Sequence, residues 1–509
     1  MNGAESLVHT LIASGIDTVF ANPGTSEMHF VAALDRIPGI RCVLCLDESV
    51  VTGAADAYFR ITGRPAATLL HCGPGFANAI SNLHNAHRAR SGIVNIVGDQ
   101  ATYHVALDAP LTSNLPALAG AVSGFVRRST RAADVAADTA ATIAAARDFP
   151  GQVATLILPA DTAWEAGSAP LTAPQGRPAT PVHPATIATA LDLVRRPGTT
   201  LLLGGTALSE PALAAAHRIA AATGTRLLAE RSPARLPRGR GRLALERIPY
   251  PPDAGIAAFA DTINLILVNT PEPVTFFAYP NKPGRLAPPS AQIFTLSRPE
   301  DDGQAALIAV AENFPETPIP DPGLHPSPAT GDITPAKFAA SLAALMPENC
   351  IIAEESLTFG RDFFRHTHAA PPHDWIMLTG GAIGEGIPLA IGAALAAPAR
   401  RVIALQADGS AMYSISGLWT QAREKLDICT IIFNNRAYAI LRGELAGVRA
   451  NPGPTALSML DLSNPTLDFC AIATGMGVPA SRATTMDELN LQLAANLQRP
   501  GPTLIELIL

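Results

Sequence analysis

Charge is scarce in this chain. Only 16% of its 509 residues are Asp, Glu, Lys or Arg, and only 5% are aromatic. With 48% hydrophobic residues beside so little charge, the composition suits large buried cores and extensive subunit contacts. The net charge is −7 and no basic block occurs, which excludes nucleic acid as an expected partner. No apolar run reaches membrane-spanning length, so no membrane partner is expected. The opening MNGAESLVHTL reads as an amphipathic helix, not a signal peptide. Cysteine is also sparse: Cys42, Cys45, Cys72, Cys350, Cys429 and Cys470 lie scattered. Cys42 and Cys45 share an apolar, strand-like run, where positions three apart point to opposite faces, which excludes a redox or zinc pair. Reduced thiols and a cytoplasmic location are expected. A G-x-G-x-x-G dinucleotide fingerprint is missing as well.

What is present is alternation of strand and helix patterns. The length predicts about three domains of ordinary size. Residues 1–165 carry apolar runs that each end on polar or glycine-rich residues: Val19-Phe20 before Asn22-Pro23-Gly24-Thr25-Ser26-Glu27, Cys42–Leu46 before Asp47-Glu48, Ala66–His71 before Cys72-Gly73-Pro74-Gly75, and Ile93–Val97 before Gly98-Asp99. This describes one open parallel sheet with a functional edge. Thr25 or Ser26, with Glu27 after it, reads as a helix N-cap. A proline- and alanine-rich linker follows, then a middle α/β unit over 183–315 with strands at Thr200–Leu203 and Ile263–Val268. In that unit the basic stretch Glu230–Arg242 reads as a solvated loop. A second proline-rich linker precedes a last α/β unit, 334–509.

The most informative stretch runs from Ala404 to Arg442. Val402–Leu405 predicts a buried strand ending on Ala407-Asp408-Gly409-Ser410, a loop suited to an anion and a metal. Gly409 allows close backbone approach, and Ser410 can cap the following helix. A helix over Ser416–Lys425 and a second strand, Ile428–Phe433, end on Asn434-Asn435. One strand-helix-strand unit therefore brings Asp408 and Asn435 to the same sheet edge. Their hard oxygens suit magnesium that also holds a diphosphate.

Two further residues carry candidate chemistry. Glu48 closes an apolar strand just before a small-residue helix; alone, it reads as an acid favoured by the helix dipole. His71 closes the next strand among glycines, with Asn78 nearby, where a histidine can relay protons or hold a carboxylate.

The pattern Ala407-Asp408-Gly409 … Asn434-Asn435 resembles the thiamine-diphosphate motif, with Ala407 where the motif has a first glycine. VFANPGTSEMHF, LDESVVTGAADAY, LLHCGPGFANAISNLHNA, GGAIGEGIPLAIGAAL and ADGSAMYSISGLWT extend the resemblance to the thiamine-diphosphate decarboxylase and acetolactate synthase superfamily, and within it to the benzoylformate decarboxylase branch. The resemblance implies three open-sheet α/β domains: pyrimidine-binding, Rossmann-like and diphosphate-binding. It implies thiamine diphosphate held by Asp408, Gly409, Ser410, Thr358, Gly381, Ile383, Asn78 and Asn435. Mg²⁺ would be bound by Asp408, Asn435 and the carbonyl of Ala437. Glu48 would be the activating acid, His71 the substrate-site histidine, and Thr25 the residue holding the substrate carboxylate. The site would lie between subunits of a homodimer or homotetramer.

The branch's middle-domain histidine has no counterpart in EPVTFFAYPNKPG; His29 and His104 are the candidate substitutes. The expected activity is decarboxylation of a 2-oxo acid, with carboligation to an aldehyde acceptor. Acetolactate synthase is the alternative, and a binding or regulatory homologue without turnover is the alternative of another class. No FAD is expected.

Overall fold

The computed structural model describes residues 1–323 and 325–509. Three sheets organise it, and helices cover their faces. The first contains β1 (Thr18–Ala21), β2 (Arg41–Leu44), β3 (Ala66–Leu70), β4 (Ile93–Asp99), β5 (Phe125–Arg128) and β6 (Val153–Pro159). Their order is β2-β1-β3-β4-β6-β5 and every pairing is parallel. β3, β4 and β6 are buried along their whole length, as a strand covered on both faces requires.

The middle region supplies β7 (Thr199–Leu203), β8 (Arg226–Ala229), β9 (Arg235–Arg238), β10 (Asn264–Val268) and β11 (Gln292–Ser297). Four of these form a parallel sheet in the order β11-β10-β7-β8. The fifth leaves it. β9 pairs antiparallel with β13 (His373–Met377) at the edge of the third sheet, Arg238 opposite His373. The expected solvated loop over Glu230–Arg242 is thus corrected. Arg238 is fully buried, its guanidinium 3.5 Å from the centroid of Phe364 and 5.1 Å from that of Trp375. Arg235 pairs with Asp374 at 3.1 Å. Arginine stacks on aromatic faces, so a basic run was compatible with burial once a partner strand supplied the rings.

The third sheet adds β12 (Ile351–Glu355), β14 (Val402–Ala407), β15 (Ile428–Asn434), β16 (Ala480–Ala483) and β17 (Thr503–Ile508). Its order is β16-β17-β15-β14-β12-β13-β9, parallel except for β9. The fold is therefore α/β with three parallel-dominated sheets, and among the described sheet strands only the edge strand β9 runs antiparallel.

The first and third sheets are joined through two helices, Glu48–Thr62 and Gly386–Ala396. Gly53 lies against Pro388, and Gly392 against the carbonyl of Ala54. A Cβ at either glycine would collide, so the small residues set how closely the helices approach. Under this contact Arg60 is buried with Asp56 at 2.5 Å and Glu385 at 3.0 Å. It also donates to the carbonyl of Met377 at 2.7 Å. Burial pushes the Glu385 carboxyl well above its usual range, against the pull of Arg60. Cys42 is exposed, Cys45 is buried, and all six thiols are free.

Candidate active site

The functional residues gather at two sheet edges. At the first, β1, β2 and β3 are neighbours, so their carboxyl ends present Glu27, Glu48 and His71 side by side. Glu48 opens its helix, capped by Asp47, whose Oδ1 accepts from the Ser49 amide at 2.7 Å. Glu48 is 7% exposed. Its Oε2 accepts from Asn78 Nδ2 at 3.0 Å. Gly75 presses on its other side, since a Cβ there would lie 2.6 Å from Oε1. A carboxylate so enclosed can hold or give up a proton at Oε1 or Oε2 without bulk water competing.

His71 is the N-cap residue of the helix Cys72–Ala89. Its Nδ1 lies 3.0 and 3.1 Å from the two carboxylate oxygens of Glu27. Glu27 is buried and also accepts from the Gly24 amide at 2.8 Å and from Ser26 Oγ. Gly24 is required: a Cβ there would collide with the His71 ring. Glu27 thus anchors Nδ1–H and leaves Nε2 to act. In the linear pattern Glu27 reads only as a capping acid. Glu27 follows β1 and His71 follows β3, and that these two strands are neighbours is not visible in a linear pattern.

The cap is also corrected. Gly24, not Thr25 or Ser26, precedes the short turn Thr25–Glu27. Thr25 is exposed, whereas Ser26 Oγ lies 3.5 Å from His71 Nδ1 and 3.1 Å from Cys72 Sγ. Glu27, His71 and Cys72 bring ligand atoms within 4.8 Å of one another. Burial pushes the Cys72 thiol up to about 11, so the free side chain is a neutral thiol. His29 packs on Trp164, with ring centroids 5.8 Å apart. Neither His29 nor His104 lines the large cavity described next.

At the third sheet, β15, β14, β12 and β13 are successive neighbours. Their carboxyl ends line a cavity of about 850 Å³ that contains Thr358, Gly381, Ile383, Asp408, Gly409, Ser410, Asn435 and Ala437. Ala407 sits at φ −75° and ψ 149°, an ordinary extended conformation, so alanine there costs nothing relative to glycine. The helix begins at once with Asp408–Ala411, so Ser410 lies inside its first turn and caps nothing. Ser410 Oγ instead meets Gln406 Nε2 at 2.5 Å. Asp408 Oδ1 accepts from the Gly409 amide at 2.8 Å and Oδ2 from the Arg436 amide at 2.6 Å. Burial pushes the Asp408 carboxyl up, and these amides pull it back. Asn435 Oδ1 accepts from the Ala437 amide at 2.9 Å. Each of these oxygens keeps a free lone pair, and together with the Ala437 carbonyl they form a hard donor set.

Gly409 and Gly381 complete a cradle. A Cβ at either would lie 2.5 Å from Tyr438 or Phe276 respectively, and Gly381 adopts φ +83°. The first unit holds the Gly380–Gly384 loop in place. Asn85 Nδ2 donates to the Ala382 carbonyl at 2.8 Å, and Asn85 Oδ1 accepts from the Ala382 amide at 3.2 Å. Below the loop, Glu355 accepts from the amides of Gly384 (2.6 Å) and Gly386 (2.7 Å) and from Gln406 Nε2 (3.0 Å). Burial raises its carboxyl to about 7. The outer wall is the helix Ala439–Gly447, none of whose residues is buried. Glu444 on it accepts from Tyr250 at 3.1 Å and Tyr279 at 2.9 Å, both from the middle region. Glu48, His71, Thr25 and Asn78 do not line this cavity in the single chain.

Comparison with known proteins accords with this division. Residues 1–119 match the family described as "Thiamine pyrophosphate enzyme, N-terminal TPP binding domain", and residues 358–507 the corresponding C-terminal TPP binding domain. The chain is 50% identical to "Putative acetolactate synthase large subunit IlvX" of Mycobacterium tuberculosis, over 100% of this chain and 99% of that protein. It is 31% identical to benzoylformate decarboxylase of Pseudomonas aeruginosa, over 97% and 96%. Among solved structures, a thiamine diphosphate-dependent 4-hydroxybenzoylformate decarboxylase of Rhodococcus jostii superposes with a TM-score of 0.87 at 26% identity, covering 99% of this chain and 98% of that one. The chain belongs to the thiamine pyrophosphate enzymes, and it is an enzyme of the 2-oxo acid decarboxylase and carboligase kind.

Proposed function

We propose that the chain is a thiamine-diphosphate- and Mg²⁺-dependent, non-oxidative decarboxylase and carboligase of 2-oxo acids, similar to benzoylformate decarboxylase. The observation that carries this reading is the pairing of an enclosed carboxylate, Glu48, with a carboxylate-anchored histidine, His71, on one sheet edge, while a hard-oxygen cradle occupies the other. When bound, thiamine diphosphate supplies a carbon nucleophile and an electron sink for the loss of CO₂. Asp408, Asn435 and the Ala437 carbonyl would hold Mg²⁺; Thr358, Gly409 and Ser410 would face the diphosphate; Gly381, Ile383, Glu48 and Asn78 would hold the aminopyrimidine. Glu48 holds or releases a proton in a site sheltered from water. His71, with Nδ1 on Glu27, offers Nε2 to the substrate. Ser26, beside His71, joins Thr25 as a candidate for the substrate carboxylate.

Because the two edges do not line one cavity in a single chain, we propose a homodimer at least. A second copy would present its Glu48 edge to this chain's cavity. Exposed Leu46 and Leu107 on the first unit and Tyr413 on the third are suited to that contact. Flavin is not part of the proposal. The middle region lacks the G-x-G-x-x-G fingerprint, and after β7 the Gly205 amide donates to Glu230 Oε1 at 3.1 Å. The 50% identical relative favours a second reading, acetolactate synthase. Incubation with thiamine diphosphate, Mg²⁺ and a panel of 2-oxo acids, following CO₂ and products, tests both. Aldehydes and 2-hydroxy ketones are expected. Efficient acetolactate from pyruvate, with no aldehyde from any other 2-oxo acid, would replace the first reading by the second.

A further inference from the structure

The middle region adds to the cavity a feature that the cofactor cradle does not use. Arg231 and Arg247 both line it, brought together because Ala229 and Arg247 form a bridge at the end of β8. Neither guanidinium forms an ion pair among the described residues. Glu246, the acid beside Arg247, is turned to Arg365 and His368, 3.6 Å from each. Arg231 uses one nitrogen on the Val274 carbonyl at 3.0 Å, while its buried Nε has no partner. Arg247 meets only the Arg231 carbonyl at 3.4 Å, Met377 Sδ at 3.2 Å and the face of Phe364. Burial holds both groups below their usual range; Arg247 lowers Arg231 further, while Glu354, Glu246 and Asp362 partly offset the effect at Arg247.

Three of the cavity's acids are hydrogen-bonded elsewhere, and Asp362 lies beyond ion-pair distance of both arginines. Glu444 is taken by two tyrosines, Glu354 by the amide (3.0 Å) and hydroxyl (2.6 Å) of Ser356, and Glu355 by amides. Two adjacent, desolvated like charges with no carboxylate at ion-pair distance are unfavourable, and buried charges are as a rule paired. A planar guanidinium with free N–H groups matches a carboxylate in particular. The surrounding wall of Tyr250, Phe276 and Phe364 is apolar, which strengthens any charge pairing inside it.

We propose that Arg231 and Arg247 form an anion subsite, distinct from the Asp408–Asn435 cradle, that takes the carboxylate of a small organic acid. Resting on the reaction proposed above, that carboxylate is the second one of a 2-oxo dicarboxylic acid, and the pair of arginines selects such substrates over monocarboxylic ones.

Calorimetry on the full-length protein loaded with thiamine diphosphate and Mg²⁺ tests this without turnover, using glutarate, valerate and inorganic phosphate as probes. Glutarate should bind at least about 10-fold more tightly than valerate. Arg231→Gln and Arg247→Gln should each abolish that difference, and Arg231→Lys should restore part of it, with melting curves confirming that each variant is folded. The ratio of kcat/KM for 2-oxoglutarate to that for 2-oxovalerate should fall in the same order. Equal binding of glutarate and valerate would overturn the proposal. So would Arg231-dependent binding of phosphate but not glutarate, or a parallel loss of thiamine diphosphate affinity, which would assign the arginines to the cofactor. Arg231-dependent glutarate binding with no turnover of any 2-oxo acid would support the subsite and refute the proposed reaction instead.

Discussion

His71 Nδ1 stands 3.0 Å from Oε2 of the buried Glu27. The carboxylate fixes which ring nitrogen carries the proton, and so leaves Nε2 as the one proposed to meet the substrate. Glu27→Gln keeps the shape but loses this control. Decarboxylation should fall by about 10- to 100-fold in kcat/KM, with cofactor affinity unchanged by calorimetry. Unchanged turnover would assign Glu27 a purely structural role.

Asp408→Ala should weaken cofactor binding by about 100-fold or more, because it removes a hard oxygen from the proposed magnesium set. Titration of thiamine diphosphate with Mg²⁺ and with chelator checks this. The wild type should lose affinity in chelator, and the variant should be weak in both.

Glu48→Gln should lower both decarboxylation and ligation by about 1000-fold, while binding of the cofactor, proposed to be held at its diphosphate end, persists. Near-native turnover in this variant would remove Glu48 from the chemistry.

Arg60→Met leaves Asp56 and Glu385 buried without their cation. A loss of about 3–5 kcal/mol is expected, seen as a lower midpoint in denaturant. Because Arg60 bridges the first and third units, both should unfold together earlier.

Glu355 gives a pH dependence. Burial raises its carboxyl from 4.5 to about 7. The folded state therefore retains a proton that the unfolded state loses between these values. Its stabilising contribution is present in full below pH 4.5 and is lost as pH rises through 7. The group contributes on the order of 3 kcal/mol to this slope. Glu355→Gln, which cannot titrate, should flatten the stability profile between pH 4.5 and 7.

Much of the molecule was legible in the chain itself. Apolar runs ending on Asn22-Pro23-Gly24, Asp47-Glu48, His71 and Ala407-Asp408-Gly409 announced parallel strands with chemistry at their carboxyl ends, because a strand covered on both faces must be apolar throughout while its end may be polar. Local pattern also placed Asp408 and Asn435 on one edge, since neighbouring strands of a strand-helix-strand unit point the same way. Tertiary structure decided what local pattern cannot carry. Arg235–Arg238 became a strand because β13 offered it hydrogen bonds and Phe364 and Trp375 offered Arg238 aromatic faces. Glu27 met His71, and Arg231 met Arg247, only once strand order set them side by side. Ala407 proved equivalent to glycine because its φ is negative. For β9 and for Glu27 the deciding partner lies far off in sequence, and only packing brings it within reach of a hydrogen bond or a charge.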